Sequence, residues 1–134
     1  MIYISLSTIP QRIKNINRSV DSLLKQTKKP DKIFINIPYK YNRFDEIISD
    51  NQIPKFSNNI VEVTRCEDCG PGTKLLGSLK KLKKDSLIIL ADDDHIYEDY
   101  RESALKLGKK YKEQFDKVNV AKNILSIKKW FIFH

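Results

Sequence analysis

The stretch Ser86-Leu87-Ile88-Ile89-Leu90-Ala91, followed at once by Asp92-Asp93-Asp94-His95, constrains the fold more than any other part of the chain. A short unbroken apolar run, bounded by charged residues on both sides, fits a strand buried on both faces, as in a parallel sheet with helices above and below. The expected class is therefore α/β. The three aspartates then stand at the carboxyl end of that strand, which is the edge of an open α/β sheet where ligands bind. Adjacent carboxylates repel one another, and a hard divalent cation relieves the repulsion by taking two of them as oxygen ligands. On an extended backbone Asp92 and Asp94 point to the same side, which makes them the pair expected to hold a metal. A run of aspartates also reads as a solvated turn, so the chemistry has to be carried by its surroundings.

Those surroundings alternate strand and helix. Ile2 to Ser7 is a β-rich run, and Thr8-Ile9-Pro10-Gln11 has the form of a helix start, with Thr8 as N-cap and Pro10 in the first turn. Ile13, Ile16, Val20, Leu23 and Leu24 follow at helical spacing. Ile33 to Ile37 reads as a second strand stopped by Pro38. The stretch from Tyr39 to Asn59 holds at most a short helix near Phe44 to Ser49, and a connection of this length is usually functional or mobile. Ile60 to Thr64 reads as a third strand.

The loop Cys66-Glu67-Asp68-Cys69-Gly70-Pro71-Gly72 then leads through Thr73-Lys74 into a helix carrying Leu75, Leu76, Leu79 and Leu82. Its glycines let backbone approach a ligand, and the helix start offers unpaired N–H groups to an anion; a plain turn with an N-cap fits equally well. After the aspartates, Asp99 and Glu102 resemble a capping box, and Tyr100, Ala104, Leu105, Tyr111 and Phe115 give an amphipathic helix. Trp130 to Phe133 fits either a strand docked on the sheet edge or an apolar end left exposed. Residues 1–116 are expected to form one domain, with 117–134 as a tail of the same domain.

Composition narrows the function less. With 134 residues, 40% of them hydrophobic, the chain has the length and make-up of one globular domain. No basic leader precedes the first apolar run, and no stretch of about 20 apolar residues could span a bilayer, so a soluble cytoplasmic protein is expected. The formal charge of +8 welcomes an acidic or phosphorylated partner, although lysines on helix surfaces are ordinarily solvated. Cys66 and Cys69 match no zinc module, and two thiols cannot close a tetrahedral site, so free thiols are expected.

Four motifs in order add a resemblance: Ser7-Thr8-Ile9-Pro10-Gln11-Arg12, Gln26 to Ile33, Asp68-Cys69-Gly70-Pro71-Gly72-Thr73-Lys74-Leu75, and Asp92-Asp93-Asp94-His95-Ile96-Tyr97. Together they resemble the nucleotide-sugar half of GT-A glycosyltransferases of the family 2 type, over about residues 2 to 100. The resemblance implies a Rossmann-like sheet with helices on both faces, short or truncated at its C-terminus. It implies a nucleoside diphosphate sugar as ligand, with a UDP-sugar as the leading donor, and Mn²⁺ or Mg²⁺ as cofactor. Thr8, Ile9, Pro10 and Arg12 would line the nucleoside pocket, and Asp68 would approach base or ribose beside Gly70. Lys74 would face the diphosphate, Asp92 and Asp94 would carry the metal as a DxD element, and Asp93 would contact ribose or sugar. His95 is a candidate proton acceptor or metal neighbour.

Two departures accompany the resemblance. Many relatives carry an acid at the end of strand 2, where this chain has Asn36 to Pro38. Relatives also continue into an acceptor-binding half, so this chain is expected to bind donor better than it transfers sugar unless a second copy, a partner chain or a further C-terminal segment completes the site. A non-catalytic nucleotide- or nucleic-acid-binding α/β module, and a metal-dependent phosphotransfer enzyme, stay open as alternatives.

Overall fold

The structure, a computed structural model, describes residues 1–97 and 129–132. Its centre is a sheet of parallel strands in the order β3-β2-β1-β4-β5, formed by Ile2–Ser7 (β1), Lys32–Pro38 (β2), Val61–Cys66 (β3), Leu87–Leu90 (β4) and Lys129–Ile132 (β5). Ile4 lies level with Ile33 on one neighbour and Ile89 on the other, so a single row of isoleucines crosses the sheet. Lys129–Ile132 pairs with Leu87–Leu90, which places this segment as a strand at the sheet edge.

Alternation along the strands divides the core into two layers. Ile4, Leu6, Ile33, Ile35, Ile37, Ile89 and Ala91 face the helix Ile16–Leu24 (α1), whose Ile16, Val20 and Leu23 complete that layer. Tyr3, Phe34, Ile88 and Leu90 face the other way, against Leu75, Leu79 and Leu82. Leu75 comes from the four-residue helix Thr73–Leu76 (α2), Leu79 from a 3-10 turn at Leu79–Lys81, and Leu82 follows that turn. Each fully buried Ile or Leu contributes about 1.5–3 kcal/mol, so covering both faces is what holds the small sheet together. The expected α/β class with helices on both faces is thus observed.

Local details differ from the pattern read in the sequence. Thr8 does not cap a helix: the chain makes a 3-10 turn at Ile13–Asn15 before α1, with no side-chain cap, because the Thr8 hydroxyl is engaged by Asp93. No helix forms over Phe44–Ser49; a 3-10 turn at Asp50–Gln52, closed by a capping box of Ser49 and Gln52, stands after it. The helix expected through Leu82 breaks after Leu76. Asp99, Glu102 and the amphipathic helix expected from Tyr100 to Phe115 lie outside the described residues, as does His134. Among the described residues no helix is long and apolar enough to cross a membrane.

The strand order reverses between β1 and β4: the chain moves outward through β2 and β3 on one side and reaches β5 on the other. Loops leaving β1 and β4 therefore diverge, and a crevice opens at their carboxyl ends.

Candidate functional site

A cleft of about 220 Å³ occupies that crevice. Ser7, Thr8, Ile9 and Arg12 line it from the end of β1, Asp92 and Asp93 from the end of β4, and Asp68, Gly70, Pro71, Thr73 and Lys74 from the loop before α2. Three stretches that are far apart in sequence thus share one cavity. Pro10 and Asp94, also singled out in the sequence, are not among the lining residues.

The three aspartates have three different environments. The backbone stops being extended after Asp92, with Asp93 and Asp94 in a turn, so the alternation that would aim Asp92 and Asp94 to one side does not hold. Asp92 is half-buried, and its Oδ1 accepts a hydrogen bond from Lys74 Nζ at 2.6 Å. Asp93 is 4% exposed. Its Oδ2 accepts from Thr8 Oγ1 at 2.6 Å and from Arg12 Nε at 3.0 Å, and its carbonyl accepts from Ser19 Oγ at 2.7 Å. A buried carboxylate needs such partners, because an unpaired charge in the interior is costly. Asp93 therefore fastens the end of β4 to the end of β1 and to α1. Asp94 is exposed and lies 3.8 Å from an Arg12 guanidinium nitrogen.

Tyr97 fixes the far side of this turn. Its hydroxyl oxygen accepts from the Asp92 N–H at 2.6 Å, and its own N–H donates to Ser22 Oγ on α1 at 2.9 Å. Burial pushes the Tyr97 hydroxyl up to about 12, so it stays neutral at physiological pH.

The loop before α2 is closed on itself. Asp68 Oδ1 accepts from the Gly70 N–H at 2.8 Å, Thr73 Oγ1 accepts from the Cys69 N–H at 2.8 Å, and the Gly72 N–H donates to the Cys69 carbonyl at 3.2 Å. Gly70 has φ +60°, the left-handed region that glycine adopts without strain. The N–H groups of Cys69, Gly70, Gly72 and Thr73 are therefore already bonded, and the cations that line the cleft are the side chains Lys74, Arg12 and Arg43.

Lys74 is held from beneath. Its carbonyl accepts from Ser5 Oγ and, at 3.1 Å, from Asn36 Nδ2, while Asn36 Nδ2 also donates to Ser5 Oγ at 2.9 Å. Ser78 Oγ lies 3.0 Å from Ser5 Oγ. Ser5, Asn36 and Ser78 are all fully buried, so this network fixes α2 on the sheet by polar contacts inside an apolar layer. Asn36 thus lies under the site, while Pro38 at the end of the same strand lines it.

Pro38, Tyr41 and Arg43 were not among the residues picked out from the sequence, yet the connection after β2 covers one side of the cleft. Asp68 Oδ2 accepts from the Asn42 N–H at 2.8 Å, and Tyr41 OH donates to the Thr8 carbonyl at 2.7 Å. Hydrogen bonding by Asn42, ahead of Gly70, holds the Asp68 carboxyl below its usual range. Burial raises the Tyr41 hydroxyl far above its own, leaving it a neutral donor. The signal that could have found this segment was its length with Tyr41, Arg43 and Phe44 close together.

Cys66 and Cys69 are both free. Burial pushes the Cys66 thiol up to about 11, which disfavours the thiolate that nucleophilic or metal-binding chemistry requires. His95 is exposed, forms a tilted ring pair with Tyr97 at 5.5 Å between centroids, and stands outside the first cleft. Compared with models of known protein families the chain matches none, and no curated protein matches it.

Proposed function

We propose that this chain is the donor-binding domain of a metal-dependent GT-A glycosyltransferase, with a Rossmann-like sheet holding a nucleoside diphosphate sugar. The observation that carries the reading is the convergence of Thr8–Arg12, Asp68–Lys74 and Asp92–Asp93 on one cleft at the switch point of a parallel sheet. That is where open α/β folds bind nucleotides.

The cleft's charges suit such a ligand. Arg12, Arg43 and Lys74 present cations from three sides, and Pro38, Tyr41, Ile9 and Pro71 offer flatter, less polar surface for a base. Lys74, held beside Asp92, is the cation placed to pair with a diphosphate and to offset the charge that develops on it as the glycosidic bond breaks.

Asp92 and Asp94 are hard oxygen donors of the type Mn²⁺ and Mg²⁺ take. Among the described residues no three such side chains form a metal group by themselves. Asp92 lines the cleft and Asp94 the adjoining cavity, so a metal at the diphosphate would be held through Asp92, alone or with Asp94, with substrate phosphates and water completing its shell. When bound, the metal would supply Lewis-acid stabilisation to the leaving diphosphate.

Calorimetric titration of UDP-, GDP- and TDP-sugars, with and without Mn²⁺, tests the reading. Metal-dependent binding of one nucleotide is expected; binding of none, with or without metal, would refute it.

A further inference from the structure

In a parallel sheet every strand starts from the same edge, and here that edge, opposite the cleft, collects lysines. The turn from α1 into β2 carries Lys25, Lys28, Lys29 and Lys32. The turn from α2 into β4 carries Lys80, Lys81, Lys83 and Lys84. All are exposed except Lys32, which is partly so. Because β2 and β4 flank β1, the two turns stand two strand spacings, about 10 Å, apart. Glu62, near the start of β3, ties them together: its Oε2 accepts from Lys32 Nζ at 2.8 Å and its Oε1 from Lys81 Nζ.

The charge is segregated between the two edges. Against its eight lysines this edge sets Asp31, Glu62 and Asp85, whereas the segments at the cleft edge, residues 8–15, 39–50, 65–74 and 92–94, hold eight Asp and Glu against six Lys and Arg. Residues 98–128 carry eight Lys and Arg against five Asp and Glu, so they add positive charge and do not cancel it. Asp31 is engaged by the Ile2 N–H at 2.7 Å and Glu62 by its two lysines, while Lys25, Lys80, Lys83 and Lys84 form no ion pair among the described residues. The spacing of the two turns is close to the Debye length of physiological salt, about 8 Å, so a partner at this edge meets the field of both.

The kind of cation narrows the partner. Neither turn contains arginine or an aromatic residue, the forks and stacking platforms by which nucleic acids are recognised, and neither offers a helix long enough to enter a groove. Flexible, strongly hydrated ammonium groups along one edge suit a plane of headgroup charge, which asks for no fixed geometry. We propose that this edge is a docking surface for an anionic lipid bilayer, with the cleft turned away from the membrane. The six residues of β1 hold the cleft about 20 Å from the lysine edge, so a ligand in the cleft and a bilayer do not compete. The surface does not rest on the donor-binding reading and stands whatever occupies the cleft.

The test is co-sedimentation of the full chain with vesicles of phosphatidylcholine alone and of phosphatidylcholine with phosphatidylserine, beside binding to a duplex and a single-stranded oligonucleotide. Binding to the serine-containing vesicles only, weakened by added salt, is expected. A lysine near such a surface is worth about fivefold in partitioning, so Lys83→Glu combined with Lys84→Glu should lower it about 25-fold or more. Lys14→Glu combined with Lys40→Glu makes the same change of net charge at the cleft edge and should lower it about threefold or less. All four side chains are exposed, so both double variants should keep the parent's urea midpoint. No binding to serine-containing vesicles, equal losses in the two double variants, tighter binding to an oligonucleotide than to those vesicles at the same salt, or release from them by UDP would each overturn the proposal.

Discussion

Gly77→Ala should destabilise the protein although it replaces glycine by the best helix former. Gly77 ends α2 with helical backbone angles, φ −61° and ψ −29°. At an open helical position the change would add up to about 1 kcal/mol of stability. Here a Cβ would lie 2.7 Å from Asn36 Cβ and Cγ and 2.9 Å from the Thr73 carbonyl. Carbon atoms in good contact sit at about 3.5–4.0 Å, so α2 or Asn36 has to move by close to an ångström. Overpacking of this kind costs about 1–3 kcal/mol. If Asn36 yields, its amide leaves Ser5 Oγ and the Lys74 carbonyl, adding about 1–3 kcal/mol for buried groups left unbonded. Set against the helix gain, a net loss of about 1–5 kcal/mol is expected where Asn36 yields.

Urea denaturation measures this directly, with a lower midpoint at unchanged slope. Asn36→Gly removes the obstructing carbons, so the double variant should be less destabilised than the two single changes added together. Because Lys74 rides on the displaced helix, Gly77→Ala should also weaken pyrophosphate binding. A variant as stable as the parent, or more so, would show that α2 is not seated as described.

Other expectations follow from the same contacts. Arg12→Ala leaves the buried Asp93 carboxylate with Thr8 as its remaining side-chain donor and should cost about 3 kcal/mol, the low end for a broken buried pair because Arg12 is itself half-exposed; a thermal midpoint equal to the parent's would contradict it. Asp92→Asn or Asp94→Asn should weaken Mn²⁺-dependent UDP binding about tenfold or more, near 1.4 kcal/mol, and unchanged calorimetry for both would remove the metal assignment. Lys74→Ala should lower affinity for UDP more than for uridine, whereas equal losses would leave the lysine without a diphosphate role. Asp68 has a depressed folded-state pKa, so its contribution to stability is complete above about pH 4 and is lost as pH falls through the depressed value. Asp68→Asn should therefore flatten the acid limb of a stability profile, and two superimposable limbs would argue against the Asp68 hydrogen bonds to Asn42 and Gly70.

Much of the architecture was legible because the apolar patterns are local. Ile88 to Leu90 needed cover on both faces, and Ile16, Val20 and Leu23 supplied one stripe of it at helical spacing. What could not be read were polar choices settled by tertiary contact. Thr8 and Gln11 have the spacing of a capping box, but a buried carboxylate 85 residues away is a stronger partner for a hydroxyl than a helix N–H. Asn36 read as the place of a missing acid, whereas its role depends on Ser5, Ser78 and a gap at Gly77 that no local pattern reveals. Likewise, alternation assigned Asp92 and Asp94 to one side only as long as the strand continued. The turn at Asp93 ends it, and Asp92 lines the cleft while Asp94 lines the adjoining cavity.

That turn gives adjacent carboxylates separate tasks. Asp93 is the one buried, and its bonds to Thr8, Arg12 and Ser19 tie the end of β4 to the end of β1 and to α1. Arg12 is oriented by Asp93 through Nε, so its terminal nitrogens project toward Asp94 and the shared wall of the two cavities. Removing the middle charge would therefore disturb the joint between β1, β4 and α1, whereas removing Asp92 would leave that joint intact. Asp93→Asn keeps an acceptor for Thr8 but loses the ion pair, and it should lower stability and nucleotide binding together. Asp92→Asn should reduce nucleotide binding with little change in stability. If Asp93→Asn left the urea midpoint at the parent's value, Asp93 would not be the joint between β1, β4 and α1.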